Sequence, residues 1–518
     1  MRRGLVLNLI GNVTFFVCGY AIHFFVGGYA SAAGYGVVGT IITVLDFEYL
    51  FTSNGARQSL ARNLASRRYD VRDTIVKALV VQAAVIALFF IVDFAGAPLL
   101  AGALNDVDLT GYFRMAAFLL PANGLYIIML GINEGLQHFG RSASLYTFYS
   151  LIKLGTIPLI LVAFPHDPAM GVEVGYLSSM IVTIMVGAVM FMLLPRGETG
   201  AARAVDGTAN AEHATGAAGG AGAANTEAAG VGAGAAVTTR RIAWREVVRD
   251  TFSFSLFFIM ASLILSADTL VVKALVTPAS MTGYYTGAVN FGKTTYYLLQ
   301  AFAVVILPVV SRLLAAGAAS RAKAVGKARD LVLVAFAFVL PIAVTISATA
   351  EGLLSAFYRD DFAVAAPALS CLALSGFFMG MTVVFNMILN AEKDTRFSDV
   401  LSIVSLIVVL PVFAAAARFG GITAVAASSM ICTFVTMAVS YLRLRARFAD
   451  VMTARAWVVI AVNAAMWAAL HVADQMVHVR YFVLLALCYA ALYAAYLAVL
   501  FAARIIDRTF IHSLKDAG

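Results

Sequence analysis

The sequence predicts an all-α polytopic membrane protein with fourteen transmembrane helices, arranged as two six-helix lobes and two extra C-terminal helices. Three observations predict it. Of the 518 residues, 62% are hydrophobic and only 12% are charged, with a mean hydropathy of +0.89; soluble domains carry about 25% charged residues. Apolar runs recur along the whole chain, each near the roughly 20 residues a helix needs to cross a hydrocarbon layer. Lysine and arginine gather in alternate connecting segments, as cytoplasmic loops require. The same asymmetry accounts for the net charge of +8 and the pI near 9.3, so the basic balance does not point to nucleic acid.

Taken in order, the predicted spans are 5–29, 33–52, 75–95, 112–133, 142–164, 173–195, 251–276, 284–308, 331–349, 368–390, 398–417, 422–442, 456–473 and 481–503. Met1-Arg2-Arg3 precedes an apolar run reaching Tyr29. That run is too long for the core of a signal peptide and shows no cleavage site, so it reads as the first span. One set of connecting segments holds Arg2 and Arg3, then Arg57 to Lys77, Arg141, Arg196 to Arg249, Arg312 to Arg329, Lys393 and Arg396, Arg443 to Arg455, and Arg504 to Lys515. The opposite set holds only Arg114, Arg359, Arg418 and Arg480. Both termini are therefore expected in the cytoplasm, and an even number of spans agrees. The four cysteines, Cys18, Cys371, Cys432 and Cys488, fall inside apolar segments without metal or disulfide spacing and read as small buried hydrophobes.

Residues 197–239 break the composition. They are mostly Ala, Gly and Thr and cannot bury enough apolar surface to fold, which predicts a flexible cytoplasmic linker. The expected division is an N-lobe at 1–196, a linker at 197–245, a C-lobe at 246–443, and the last two spans with a tail at 444–518. The halves echo each other: Arg72-Asp73 and Arg329-Asp330 precede the third span of each, and Asn133 and Asn390 end the fourth, at the same offset. Six spans per half is even, so the repeats share an orientation and relate by an axis along the membrane normal. Deleting 200–238 should leave the protein's activity at the wild-type level.

The chemistry concentrates in 251–312. Two long apolar helices carry polar stripes at helical spacing: Ser255, Ser262, Ser266, Thr269 and Lys273 on the first, and Thr286, Asn290, Lys293, Tyr297 and Gln300 on the second, which is expected to end at Pro308. Asp268 lies beside the first stripe. Span five shows Tyr149 and Lys153 on one face; span two carries Asp46 and Glu48, then Asn54 and Arg57. A lysine at mid-membrane costs about 3 kcal/mol or more unless a carboxylate, water or an anionic ligand solvates it. For Lys273, near a helix end, snorkelling outward is an equal alternative. Lys153 and Lys293 lie deeper. Three such lysines with few membranous acids describe a cavity that prefers an anion, and a diphosphate suits lysine as a point charge. Asp46 and Asp268 are the candidates for ion pairing or for carrying a coupling ion.

Three stretches resemble the oligosaccharide (O-antigen type) flippase family of the multidrug/oligosaccharidyl-lipid/polysaccharide exporter superfamily. They are FTSNGARQSLARNLASRRYD after span two, SADTLVVKALVTPASMTGYYTGAVNFGK through LPVVSRL, and YRDDFAVAAPALSCLALSGFFMGMTVVFNMILNAEKDTRFS. The resemblance implies two lobes around a V-shaped cavity that opens alternately to each side of a bacterial inner membrane. It implies an undecaprenyl-diphosphate-linked substrate and coupling to H+ or Na+, with no bound cofactor. Asp268, Tyr285 and Asn54 match family pattern positions; the long Gly/Ala linker departs from the pattern. Glycosyltransferases and a glycan polymerase are the implied partners, besides membrane lipids.

A drug or organic-cation exporter of a sister family is the alternative, and its cavity should be rich in acids. A membrane glycan polymerase would need a clustered carboxylate site or a sizeable outer domain. The sequence shows no nucleophile constellation, P-loop or metal motif, so an enzyme is not expected.

Overall fold

The computed structural model describes residues 2–65, 69–136, 138–192, 241–253, 256–315, 320–392, 395–476, 482–503 and 505. Among them every regular element is helical. Ten helices are long and apolar enough to cross a membrane, and a shorter apolar helix covers Val13–Tyr29. The chain is a multi-pass membrane protein. The predicted linker, 197–239, lies outside the described residues.

Helices α1 (Arg2–Tyr29) and α2 (Ala32–Tyr49) open the chain. α2 does not stop at the predicted end of span two. A π-helical turn, Leu50–Asn54, carries it into α3 (Gly55–Ala65), and such turns recur at functional sites. α4 (Val71–Ala95) begins where the Asp70 carboxylate accepts the Asp73 N–H at 2.7 Å, satisfying one of the orphan donors of its first turn. Then follow α5 (Ala97–Ala103), α6 (Leu109–Ala116), α7 (Leu119–Gly135), α8 (Phe139–Lys153), α9 (Thr156–Ala163) and α10 (Pro168–Met192). Beyond the linker come α11 (Trp244–Ser253), α12 (Leu256–Leu275), α13 (Ser280–Gly292), α14 (Thr294–Ala315), α15 (Arg321–Phe338), α16 (Leu340–Ala348), α17 (Ala350–Phe357) and a 3-10 turn at Asp360–Ala365. α18 (Ala366–Ala391), α19 (Thr395–Arg447), α20 (Ala454–Met476) and α21 (Phe482–Ala502) complete the chain.

Three features depart from the sequence expectation. Spans four, five, eight and nine are each two helices, broken after Ala116, after Lys153, at Lys293 and at Val339. Span eight does not end at Pro308: α14 runs through it to Ala315, as membrane helices can when neighbouring groups satisfy the carbonyl a proline frees. α11 is an additional short helix whose two-faced pattern is too polar to register as a span. α19 supports the expectation for spans eleven and twelve. Its apolar stretch of 52 residues would reach about 78 Å as one straight helix, more than twice the hydrocarbon thickness. Gly421, at φ 61°, breaks it into two helices; that left-handed conformation is open to glycine without a Cβ penalty.

The chain forms two compact units. The first comprises residues 1–26 and 41–259. Its core joins Tyr126 and Leu130 of α7, Leu145 and Tyr149 of α8 and Met180 of α10, with Phe15 packed against them. A smaller cluster, Leu60, Leu64 and Ile128, fixes α3 on α7.

The second unit comprises residues 27–40 and 260–518, with α18 at its centre. A Cβ at Gly376 would meet the Gly292 carbonyl, and one at Gly380 would meet Leu299, so these glycines bring helix backbones together as a small-xxx-small pair does. The polar residues of span ten serve as glue inside this unit. Ser375 bonds Ser429 at 3.0 Å and Thr433 at 3.1 Å. Asn386 donates to Ser440 at 3.2 Å, and Ser398 donates to both Asn386 and Asn390 at 3.0 Å.

Candidate functional site

The three membrane lysines share a placement that the sequence alone does not reveal: each sits at the C-terminal end of a helix. Lys153 is the last residue of α8, Lys273 lies in the last turn of α12, and Lys293 caps α13 just before α14 begins. A helix C-terminus favours a cation by about 0.3–1 kcal/mol, an upper bound here because the Leu151, Ile152, Val289 and Lys293 carbonyls accept backbone N–H groups. That is less than the roughly 3 kcal/mol a mid-membrane ammonium costs, so each lysine needs further partners. Glycine flanks the breaks in spans five and eight, at Gly155 and Gly292. Glycine beside lysine in mid-span was the available signal, because glycine weakens a helix interior by about 1 kcal/mol.

In the first unit, Lys153 is 9% exposed and lies in an aromatic cage. Its Nζ is 3.7 Å from the Tyr176 ring centroid, 5.4 Å from Phe15 and 5.9 Å from Tyr149. A desolvated cation over an aromatic face gains about 2 kcal/mol. Asp46, itself exposed, is the electrostatic neighbour of this ammonium. Two residues on, Glu48 is buried beside buried Asp93 of α4, which the sequence pattern does not single out.

Arg57 and Glu134, 77 residues apart, form a two-pronged ion pair, with the Arg57 Nε donating to Glu134 Oε2 at 2.9 Å. Ser142 adds a hydrogen bond to the same carboxylate at 3.0 Å. The guanidinium proposed for substrate is thus held by a carboxylate that sequence reading missed. Arg57→Ala should lower stability by about 2 kcal/mol, because it leaves Glu134 part-buried and unpaired. Arg57→Ala with Glu134→Ala should recover much of that loss in thermal unfolding, the signature of a coupled pair. The side chain of Asn54 lies outside the described residues.

In the second unit, Asp268 and Lys293 line one cavity with Leu265, Val289, Gly292, Leu372, Ser375 and Gly376. The cavity measures about 10 Å3, the room of a single water. Asp268 is 2% exposed and already well supplied with donors: Tyr285 Oη at 2.9 Å, the Thr269 N–H at 2.7 Å and the Thr269 hydroxyl at 3.3 Å. Lys293 donates to Ser266 Oγ at 3.4 Å, a long hydrogen bond, and makes no ion pair among the described residues. Its charge is therefore compensated by Asp268 across the cavity rather than by a direct bridge.

The remaining predicted residues divide. Asn290, one turn before Lys293, donates to Tyr35 Oη at 2.6 Å, and Tyr35 meets Tyr358 Oη at 3.1 Å. Tyr297, half-buried on α14, follows Lys293 by one turn, its N–H bonded to the Lys293 carbonyl at 3.2 Å. Lys273 is 8% exposed and engaged by protein. The structure thus gathers Lys293, Asp268, Asn290 and Tyr297 around the α13–α14 break of the second unit, and Lys153, Tyr149 and Asp46 in the first. Asp361, expected as a solvated loop end, is 40% exposed and pairs with Arg359 at 2.9 Å.

Comparison with known proteins agrees with this architecture. Residues 254–416 match the family model described as MatE, and residues 30–204 match that described as Polysaccharide biosynthesis protein. No curated protein matches by sequence. A lipid II flippase in an inward closed conformation superposes with a TM-score of 0.67 at 12% identity, covering 96% of this chain and 100% of its own. A multidrug resistance MATE family transporter in an inward-facing conformation gives 0.59 at 16% identity, covering 86% of this chain and 98% of its own. An outward-facing conformation of such a transporter gives 0.57 at 15% identity, covering 86% and 95%. With two family models and these superpositions, the chain has the fold of the transporters and flippases of the multidrug/oligosaccharidyl-lipid/polysaccharide exporter superfamily.

Proposed function

We propose that the protein is a flippase moving a polyprenyl-diphosphate-linked oligosaccharide from the cytoplasmic to the outer leaflet of a bacterial inner membrane. It does so by alternating access, coupled to H+ or Na+, for cell-surface polysaccharide biosynthesis. The observation that carries this reading is Lys293: an ammonium at an interrupted helix whose nearest acid, Asp268, is already held by neutral donors. Discontinuous membrane helices place their ends at transported ligands, and a lysine without a direct carboxylate bridge is free to meet a diphosphate. The cavity as it stands holds a water rather than a phosphate group. Headgroup contact therefore requires Lys293 to swing out of it, or α13 and α18 to part, during the cycle. Lys153, caged by aromatic rings, contributes to the field more than to direct contact. Asp268 and Asp46 remain the coupling candidates, joined by Glu48 beside Asp93.

The similarity to a lipid II flippase and the match to the polysaccharide biosynthesis family favour this substrate class. Glycosyltransferases would supply the substrate and a glycan polymerase would consume it. The second reading, an organic-cation exporter, is favoured by the MatE match but opposed by an ammonium where a cation site needs acids. Reconstitution in proteoliposomes separates them. A fluorescent polyprenyl-diphosphate oligosaccharide should cross in the presence of the protein, with the rate set by an imposed H+ or Na+ gradient. Export of a cationic dye with no movement of the lipid-linked glycan would reverse the assignment.

A further inference from the structure

Helix α11 binds the rest of the first unit through one face. Val247 and Thr251, one turn apart, are 2% and 5% exposed, and Ile242 just before the helix is 1% exposed. Glu246 accepts the Tyr69 hydroxyl at 2.9 Å. Ile242 is held at both backbone groups: its N–H reaches Asp73 at 3.1 Å and its carbonyl accepts Lys77 at 2.7 Å.

The arc beside that face is built differently. At about 100° per residue, Trp244 and Val248 fall one turn apart on a stripe that borders the buried face, 49% and 41% exposed, with the Lys77 ammonium 5.7 Å from the Trp244 ring centroid. Arg245 and Arg249 fall one turn apart on the neighbouring stripe, both exposed, and exposed Arg241 precedes them. An apolar stripe with an aromatic residue beside a basic stripe is the pattern of a helix lying in a membrane interface. Chain connectivity agrees. α12, 20 residues long and so about the 30 Å of a hydrocarbon core, starts three residues after Ser253. At about 3.5 Å per residue, that tether keeps the C-terminal end of α11 within roughly 10 Å of the boundary, and the bonds of Ile242 to Asp73 and Lys77 hold its other end at the start of α4.

We propose that the exposed arc of α11 is a docking surface for anionic phospholipid headgroups. Trp244 and Val248 enter the interfacial layer, and Arg241, Arg245 and Arg249 pair with lipid phosphates. The helix then straps α3 and α4 of the first unit to the leaflet from which the substrate is drawn. Free phosphate does not suit the arc, because it leaves the apolar stripe uncovered; negative lipid satisfies both stripes at once. The inference does not depend on which substrate is flipped.

Trp244 is one of three tryptophans. With Trp457 and Trp467 replaced by phenylalanine, its fluorescence is recorded in phosphatidylcholine nanodiscs containing a fixed fraction of shallow-brominated lipid. Brominated phosphatidylglycerol should quench about twofold more than brominated phosphatidylcholine, 10 mM inorganic phosphate should leave the difference intact, and R241Q/R245Q/R249Q should remove it. The unsubstituted protein gives a parallel reading: amide exchange across 241–253 should slow at least twofold in phosphatidylglycerol relative to phosphatidylcholine. Equal quenching by the two lipids, or exchange that ignores lipid charge, would overturn the proposal.

Discussion

Replacing Lys293 with alanine should, if the protein is the flippase proposed above, lower lipid-linked glycan export by roughly 100-fold or more, while the protein accumulates in the membrane at its normal level. The first half of this expectation rests on charge. A charge-assisted contact between an ammonium and a diphosphate in a low-dielectric site contributes several kcal/mol, and the α13–α14 break offers it no substitute. The second half rests on the hydrogen bonds around Asp268. Tyr285 and Thr269 already donate to that carboxylate, which offsets part of the loss of its counter-charge, so thermal stability should fall by about 2 kcal/mol, no more than for Arg57→Ala, and the protein should stay folded. Transport and melting measured on the same preparation separate the two.

Gly283→Val has the largest expected effect on folding. Gly283 of α13 faces Ala32 at the start of α2, and a Cβ built there would run into the Ala32 carbonyl; the reciprocal Gly36 would meet the Gly283 N–H and Thr282. Neither obstacle is a flexible side chain, so the backbones themselves must separate. Overpacking of this kind costs about 3 kcal/mol. Separation would also pull Tyr35 away from Asn290 and Tyr358, which it meets at 2.6 Å and 3.1 Å. Gly28→Ala, where a Cβ meets nothing within 4 Å, should be silent in the same melting assay.

The helical class and most span positions were legible because apolar length is a local property, written residue by residue. Gly283 and Gly287, and Gly376 and Gly380, are small residues one turn apart, a local pattern that marks close helix approach, and the structure packs each against a neighbouring element. What escaped depends on partners distant in sequence. Arg57 reads as a free cation until Glu134 is brought beside it, and Asn290 reads as a ligand donor until Tyr35, 255 residues away, is placed on its amide. Glu48 looked peripheral because span two appeared to stop near it; the π turn that extends the helix into α3 puts it in the interior beside Asp93. The lysines were found, but the reason they are tolerated was not. Aromatic rings from Tyr176 and Phe15 surround Lys153, and Asp268 faces Lys293 across a cavity; these partners are distant in sequence, and the glycines beside the two turns are the only local sign.

Recognition of a diphosphate by the ammonium at the α13–α14 break is most directly tested by binding. The protein in neutral-lipid nanodiscs is titrated with polyprenyl diphosphate and with the uncharged polyprenol of equal chain length. The diphosphate should bind at least about 30-fold more tightly, a gap of about 2 kcal/mol, and Lys293→Ala should bring the two ligands within a few-fold of each other. Equal affinity for both ligands in the wild-type protein, or an undiminished preference in the variant, would contradict the account.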